Sequence, residues 1–435
     1  MITKYFGTDG IRGKSFTELN SKIAFSIGQS LRETYNKNQV VIGHDTRNSS
    51  PMLAYAIANG AMSVGINVVF AKVVSTPMIA HYSKVKEIPG IMVTASHNPY
   101  TDNGIKVFNC GYKSTIEEEL IMEKYIDSEI IKGSNWGEFL LSLDINKEYL
   151  KVIDKLGLNE SSLKVVYDSA NGANYLIAKQ VMSKYFKNSV QLASEPDGLN
   201  INLNCGSTNL SYIREYAKNN NIDIGFSYDG DGDRMLMIDK NGVTYDGDYI
   251  IYLIANYLKN KNMLNKNTVV VTKMTNPGIL KALRSKNIDY ILTDVGDKYV
   301  SKELIDNDLS LGGESSGHLI IRDILHSGDG LLSSLFILKL LEEEKIELED
   351  IVKEIELYPF SLVNIKNINK DVLKDREVLD YLEKIKNSLD TDDLFLIRAS
   401  GTEPLLRVTI SVKEEDKLDN LISEVVEFLK KKGSY

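Results

Sequence analysis

The sequence predicts an α/β protein made of three related α/β units and a smaller C-terminal α+β domain. Three observations lead there. Short β-branched runs recur, each followed by a polar or Gly-rich loop and then a helix-like stretch, the pattern of parallel strands joined by crossover helices. The same rhythm returns in the first, second and third parts of the chain, without a residue-level repeat. From about Leu357 onward the character changes to charged, helix-like segments. At about 150 residues per domain, a chain of 435 residues corresponds to roughly three domains, each large enough to bury its own core.

Taken in order, the predicted strands of the three units are 39–43, 90–93, 163–167, 222–226, 268–272 and 290–293. The charge-free stretch 48–71 is interrupted by Pro51, Asn59, Gly60, Ser63, Gly65 and Asn67, which makes it a poor bilayer segment. It reads as a buried Ala-rich helix, a Gly-Ile-Asn turn and a strand. In the last part, 363–368 and 394–397 read as strands and 413–432 as an amphipathic helix. The Lys/Ser/Gly tail 430–435 is expected to fray. The resulting domains are 1–150, 151–253, 254–360 and 361–435.

Composition limits the function. With 51 Lys+Arg against 60 Asp+Glu the net charge is −9, and no basic block stands out, so a nucleic-acid partner is not expected. Small phosphate ligands remain compatible, since they need only a few placed donors. Cys110 and Cys205 are far apart and form no CxxC motif, which suits a reducing, cytoplasmic setting. The N-terminus carries Lys4 and Asp9 and lacks the apolar core of a signal peptide, so neither secretion nor a membrane partner is expected.

In α/β folds ligands sit beyond the carboxyl ends of the strands, so the loops there carry the candidates. Asp229-Gly-Asp-Gly-Asp-Arg234 places three carboxylates at alternate positions, loosened by two glycines. Hard oxygen ligands of this kind suit Mg²⁺, Mn²⁺ or Ca²⁺. An EF-hand reading fails twice, because Arg234 stands where its glycine belongs and Lys240 where its glutamate belongs. The bland alternative is a solvated acidic turn. Thr94-Ala-Ser-His-Asn-Pro99 puts Ser96 beside His97, and adjacent side chains generally point apart, so no direct serine–histidine pair is expected. Without a Gly-x-Ser-x-Gly elbow, an exposed Ser96 reads as an acceptor of a phosphoryl group if the Asp229 cation comes near, or else as part of a polar turn.

Arg398-Ala-Ser-Gly-Thr-Glu-Pro-Leu-Leu-Arg407 reads as a loop whose two arginines, hydroxyls and Gly-turn N–H groups could hold an oxyanion; a hairpin turn with surface arginines is the alternative. Gly312-Gly-Glu-Ser-Ser-Gly-His318 offers a carboxylate, hydroxyls and an imidazole suited to sugar hydroxyls, or a capping turn. Phe6-Gly-Thr-Asp-Gly-Ile-Arg-Gly13 sets Arg12 between glycines, which alone could be a strand edge and turn. No Walker A motif and no Gly-x-Gly-x-x-Gly is present, so nucleotide cofactors are not indicated.

Together, in order and spacing, the segments 6–13, 94–99, 229–234, 312–318 and 398–407 resemble the α-D-phosphohexomutase superfamily across essentially the whole chain. The stretches 98–106, 199–208 and 327–330 are similar to its phosphoglucosamine branch rather than its phosphomannomutase branch. The resemblance implies four domains around a central cleft, where length alone suggests three. It implies a phosphoserine at Ser96 and one Mg²⁺ per chain held by Asp229, Asp231, Asp233 and the Ser96 phosphate. It further implies sugar contacts from Glu314 and Ser316, and a phosphate clamp from Arg398, Ser400, Gly401, Thr402 and Arg407. Arg12, Lys106 and His318 lie near the proton-transfer positions by the same resemblance, with His97, Asn98 and Arg234 flanking the phosphoserine. Ser315 departs from both branches, which carry Gln or Met there, and Ala399 stands where Pro is common.

The implied reaction interconverts glucosamine 6-phosphate and glucosamine 1-phosphate through a 1,6-bisphosphate, feeding UDP-N-acetylglucosamine and cell-wall precursors. A hexosamine phosphate is the small-molecule partner, and the resemblance suggests a homodimer. Three alternatives stay open at this point: a phosphomannomutase/phosphoglucomutase, a non-catalytic sugar-phosphate-binding protein, and a Mg²⁺-dependent phosphatase.

Overall fold

The β-branched runs become strands with side chains alternating between two buried faces, as a sheet covered by helices on both sides requires. In the strand around Val41, that residue joins one core cluster while Val40 and Ile42 join another. Val165 and Tyr167 likewise part from Val166, and Val269 and Val271 from Val270. This computed structural model describes residues 3–128, 135–345, 348, 353–399 and 405–433.

The described residues form four sheets. The first contains β1 (Phe6–Gly7), β2 (Gly10–Lys14), β3 (Gln39–His44), β4 (Asn67–Val73), β5 (Gly90–Val93), β6 (Asp102–Asn109), β7 (Tyr112–Lys113) and β8 (Phe139–Leu141). Their order is β1-β2-β6-β5-β3-β4-β8, with β7 on β6. The second sheet, β10-β9-β11-β12-β13, contains β9 (Val165–Asp168), β10 (Val190–Leu192), β11 (Ile224–Tyr228), β12 (Met235–Asp239) and β13 (Thr244–Tyr245). The third, β15-β14-β16-β17, contains β14 (Thr268–Thr272), β15 (Asp289–Thr293), β16 (Leu311–Gly313) and β17 (Leu319–Ile321). The fourth is antiparallel, β18-β20-β19, from β18 (Phe360–Lys366), β19 (Leu394–Ala399) and β20 (Leu405–Ser411).

One unit is built three times. In each of the first three sheets a strand pairs in parallel with the next two, and the third of these folds back on an antiparallel fourth. The returning hairpins are β5–β6, β11–β12 and β16–β17, and their connections are the segments around Ser96, Asp229 and Glu314. One large apolar cluster joins the three units through Met92, Phe226 and Val271 among others. The C-terminal domain closes its own cluster, around Ile365, Val408 and Leu429.

The architecture matches the predicted class, while the strands expected at 163–167, 222–226 and 363–368 lie at Val165–Asp168, Ile224–Tyr228 and Phe360–Lys366, and three further details differ. β6 was not expected as a strand, because polar Asn103 and Lys106 break its apolar pattern; both are buried against polar partners. Arg398 and Arg407 do not belong to one loop, since they lie within β19 and β20, directly opposite each other. The tail does not fray over 430–433: the helix Glu415–Gly433 runs to its end, the Gly433 carbonyl accepts from Asn369 N–H at 3.1 Å, and Lys432 pairs with Glu377 at 2.6 Å. Among the described residues no helix is long and apolar enough to cross a membrane, and Cys110 and Cys205 are free thiols.

Candidate active site

The turn between β5 and β6 holds Ser96 in the left-handed region, at φ +52°. A non-glycine residue there is strained and needs external support. Arg47, fully buried beyond the end of β3, supplies it. Its Nη2 donates to the carbonyls of Ser96 and Asn98, both at 2.9 Å, and its Nη1 to those of Pro99 and, at 3.1 Å, Asp102. Asp45 balances the guanidinium by accepting from Nε at 2.8 Å. Asn98 donates to the Asp102 carboxylate at 2.9 Å.

The left-handed turn also overturns the expectation that Ser96 and His97 point apart. Ser96 Oγ lies 3.3 Å from His97 Nδ1 and donates to Asp229 Oδ2 at 2.5 Å. Burial, with the Arg234 and Arg12 cations nearby, pushes the His97 imidazole down to about 3, so the ring is neutral near pH 7.

Asp229, Asp231 and Asp233 bring one carboxylate oxygen each within 4.8 Å of one another, all buried. Packed this closely, like charges resist ionisation: burial, then Asp233 and Asp231, raise Asp229 well above the usual carboxylate range. Asp231 moves the other way, because Lys106 and hydrogen bonds from its neighbours outweigh its burial. Lys106 Nζ sits 2.8 Å from Asp231 Oδ2 and 2.9 Å from Asp233 Oδ2. These carboxylates, with Asp9, outweigh burial and hold it firmly as an ammonium. Asp231 Oδ1 and Asp233 Oδ1 are buried without a hydrogen-bond partner. Unpartnered, buried carboxylate oxygens fit a hard divalent cation, and the triad can hold one.

A chain of charges leads from the triad to the third unit. Asp9 Oδ2 meets Arg12 Nη2 at 2.6 Å and Lys106 at 3.1 Å, and Asp9 also pairs with Lys113. Lys113 bridges to Asp297 at 2.5 Å, whose Oδ2 lies 3.6 Å from His318 Nε2. His318 lies flat on Gly328: a Cβ at that position would meet Nε2 at 2.3 Å. Arg234 donates its N–H to Asp229 Oδ1 at 3.1 Å, and its strand edge bridges to His318. A cavity of about 310 Å³ opens beside Lys106, Asp233 and His318.

Glu314 Oε1 accepts from Gly296 N–H at 2.9 Å, and burial raises its pKa. Ser316 Oγ and His318 Nδ1 are buried without partners. Arg398 feels burial and the cation of Arg407 across the sheet, both lowering its pKa, and the charge of Glu314, which opposes them. The two arginines stand opposite each other across the sheet, and with Arg398 Nε buried and without a hydrogen-bond partner the pair could hold an anion. Ser400, Gly401 and Thr402 lie outside the described residues. The structure therefore gathers Ser96, His97, Lys106, Arg12, the Asp triad, Arg234 and His318, with Glu314 within electrostatic reach of Arg234 and His318.

Four residues of this constellation were not singled out in the sequence. Thr76, at the start of the helix Thr76–Lys86, donates its N–H to the Asp231 carbonyl at 3.0 Å and its hydroxyl to the carboxylate. The Ser-Thr-Pro start of that helix was the signal available for it. Asp297 opens the helix Asp297–Asp306 after β15, inside the stretch 294–300 that the rule on strand ends marks, although no role attaches to it there. Asp9 lay unremarked inside the Arg12 motif, and Lys113, in the two-residue β7, carries no local signal.

Models of the phosphoglucomutase/phosphomannomutase domains match in sequence order: α/β/α domain I over residues 3–130, II over 147–242, III over 246–358 and the C-terminal domain over 362–428. A phosphoglucosamine mutase from Caldicellulosiruptor saccharolyticus is 41% identical over 448 residues, covering 97% of this chain and 98% of its own length. One from Clostridioides difficile is 39% identical over 449 residues, with 100% of both chains covered. Among solved structures, a phosphoglucomutase/phosphomannomutase family protein from Burkholderia thailandensis superposes with TM-score 0.80 at 24% identity, over 98% of this chain and 97% of that one. An Aspergillus fumigatus N-acetylphosphoglucosamine mutase in complex with GlcNAc-6P and magnesium superposes with TM-score 0.68 at 16% identity, over 100% and 96%.

Proposed function

The chain belongs to the phosphoglucomutase/phosphomannomutase family, and from that premise we propose that it is an isomerase interconverting glucosamine 6-phosphate and glucosamine 1-phosphate. The observation that carries the mechanism is the Ser96 hydroxyl, held by a strained turn and hydrogen-bonded into a buried carboxylate triad. The relatives at about 40% identity over nearly their whole length support the amino sugar as substrate.

O1 and O6 of one hexose are too far apart for direct transfer, so a stored phosphoryl group solves the problem. Phosphorylated Ser96 donates to the free hydroxyl of the sugar monophosphate, giving a 1,6-bisphosphate. The sugar turns around and returns its other phosphoryl group to Ser96. Asp229, Asp231 and Asp233, together with the Ser96 phosphate, would hold a Mg²⁺ ion, which would supply positive charge against the transferring group. Magnesium in the Aspergillus complex supports this choice of cation.

Lys106, held as an ammonium by Asp231, Asp233 and Asp9, stabilises anionic oxygen. His318, braced by Asp297 and with Nδ1 free, is placed to move the proton of the sugar hydroxyl. Glu314 and Ser316 bind sugar hydroxyls, and the Arg398–Arg407 pair holds whichever phosphate is not reacting. We place the reaction in the cytoplasm, consistent with two free thiols.

³¹P NMR tests this directly, using Ser96-phosphorylated protein with Mg²⁺ and, separately, glucosamine, glucose and mannose 6-phosphates. Fastest appearance of a 1-phosphate from the glucosamine compound is the expected result. Preference for mannose or glucose moves the chain to the neighbouring branch, and Ser96→Ala with substantial residual turnover removes the covalent carrier.

A further inference from the structure

The segment 199–208 remains without a role in the mechanism above, although it folds directly onto the reacting serine. After Gly198, whose carbonyl accepts from Asn48 N–H at 2.9 Å, the chain runs from the second unit across the Ser96 turn. Asn202 sits in the left-handed region, at φ +57°, with its N–H bound to the Ala170 carbonyl at 2.9 Å. Its side-chain amide donates to the carbonyls of Ser96 at 2.9 Å and Asn98 at 3.0 Å, the two that Arg47 Nη2 grips from the first unit. The far end of the strap is fixed by Asp168, whose carboxylate accepts from Ala170 N–H and Gly206 N–H, both at 2.8 Å. Gly230 lets these groups close up, since a Cβ there would meet the Ser96 carbonyl at 2.5 Å and Asn202 Nδ2 at 2.8 Å.

We propose that Asn202 is a positioning residue for phosphoryl transfer, holding the Ser96 carbonyl so that Oγ stays aimed into the Asp triad. This deepens the proposed function and rests on it. The second unit grips Ser96 at both ends: Asp229 takes the hydroxyl and Asn202 the carbonyl. Without the amide, Arg47 is left as the side-chain donor to the Ser96 and Asn98 carbonyls, with Thr94 Oγ1 accepting from the Ser96 N–H at 2.9 Å; the left-handed turn is held less firmly, and Oγ can swing. A displacement of about 1 Å at a reacting atom costs up to about a hundredfold in rate.

The test compares Asn202→Ala and Asn202→Asp with wild type, reading kcat, KM, Tm and the single-turnover loss of phosphate from Ser96. The aspartate keeps the shape but turns a donor into an acceptor facing two carbonyls. We expect kcat to fall about tenfold in the alanine variant and about a hundredfold in the aspartate variant. KM and Tm should hold, and the single-turnover rate should fall by the same factor as kcat. Asn200→Ala, which removes a strap bond to the Glu195 carbonyl and touches nothing in the Ser96 turn, should keep the wild-type kcat. The proposal is overturned if Asn202→Ala keeps kcat within twofold, if its loss appears only in KM or Tm, or if Asn200→Ala loses as much. If wild type transfers to no sugar phosphate, the rate of loss to water is compared across the same variants, which separates failure of the sugar assignment from failure of the Asn202 role.

Discussion

The hairpin turns β11–β12 and β16–β17 occupy the same place in the repeated unit, yet one carries Asp229, Asp231 and Asp233 and the other Glu314, Ser316 and His318. Both are buried, and both leave polar atoms without protein partners. The kind of atom differs. In the first turn the unpartnered atoms are carboxylate oxygens of Asp231 and Asp233, pure acceptors that call for a cation, beside one donor, Arg234 Nε. In the second they are a hydroxyl and an imidazole nitrogen, which donate or accept and so match sugar hydroxyls. Among the described residues of the C-terminal sheet the unpartnered side-chain atom is Arg398 Nε, a pure donor suited to phosphate. On the proposed function, scaffold position sets where a ligand is met, and the residual hydrogen-bonding character of each turn sets which part of it is met.

The sharpest way to break this comparison is to remove one acceptor from the first turn. Asp231→Asn should abolish high-affinity Mn²⁺ binding, read by electron paramagnetic resonance, and lower kcat by at least about a thousandfold. Retained turnover would mean that the turn is only an acidic bend. Next, Glu314→Gln should lower kcat/KM about ten- to a hundredfold while leaving Mn²⁺ binding intact. A loss of metal affinity in that variant would erase the distinction between the turns. Gly328→Ala, which drives a methyl group into the His318 ring, should reduce kcat about tenfold, with KM for the sugar phosphate changing less.

The smallest effect sharpens the comparison at the base of the two turns. Asp329 accepts from Tyr149 OH at 2.6 Å and caps the helix Gly330–Glu344, whose first residue packs against the Arg234 carbonyl. Burial raises its pKa from 3.8 to about 6. Folding therefore favours the protonated form, so this contribution to stability is full below about pH 4 and is lost as pH rises through about 6. Asp329→Asn cannot ionise, and its Tm relative to wild type should rise by a few degrees between pH 4 and pH 7. A difference independent of pH would place the Asp329 carboxyl at its ordinary value.

How much of this was legible in the sequence follows from distance along the chain. The repeated unit could be read because each strand, loop and helix is written in a few dozen adjacent residues. The Asp triad could be read because alternate carboxylates separated by glycines carry their meaning within six positions. β6 escaped notice because its buried polar residues are satisfied by groups far away in sequence, Asn103 by Ser49 and Ser50 and Lys106 by the Asp triad. The Arg398–Arg407 pair was read as one loop because the register that sets the two residues face to face exists only once β18, β19 and β20 assemble.

By itself, then, the sequence determined the class of fold, the repetition and the chemical character of each turn, since strand period, Gly placement and ligand type are local properties. Only the tertiary structure decided which charges meet. It set Ser96 into a left-handed turn that brings its hydroxyl to Asp229 and beside His97, and gave that turn a fully buried arginine as its support. It also strung Asp9, Lys113 and Asp297 into one chain of ion pairs. The Ser96–Asp229, Asp9–Lys113 and Lys113–Asp297 contacts each span more than a hundred residues and arise from sheet topology, which no local pattern encodes.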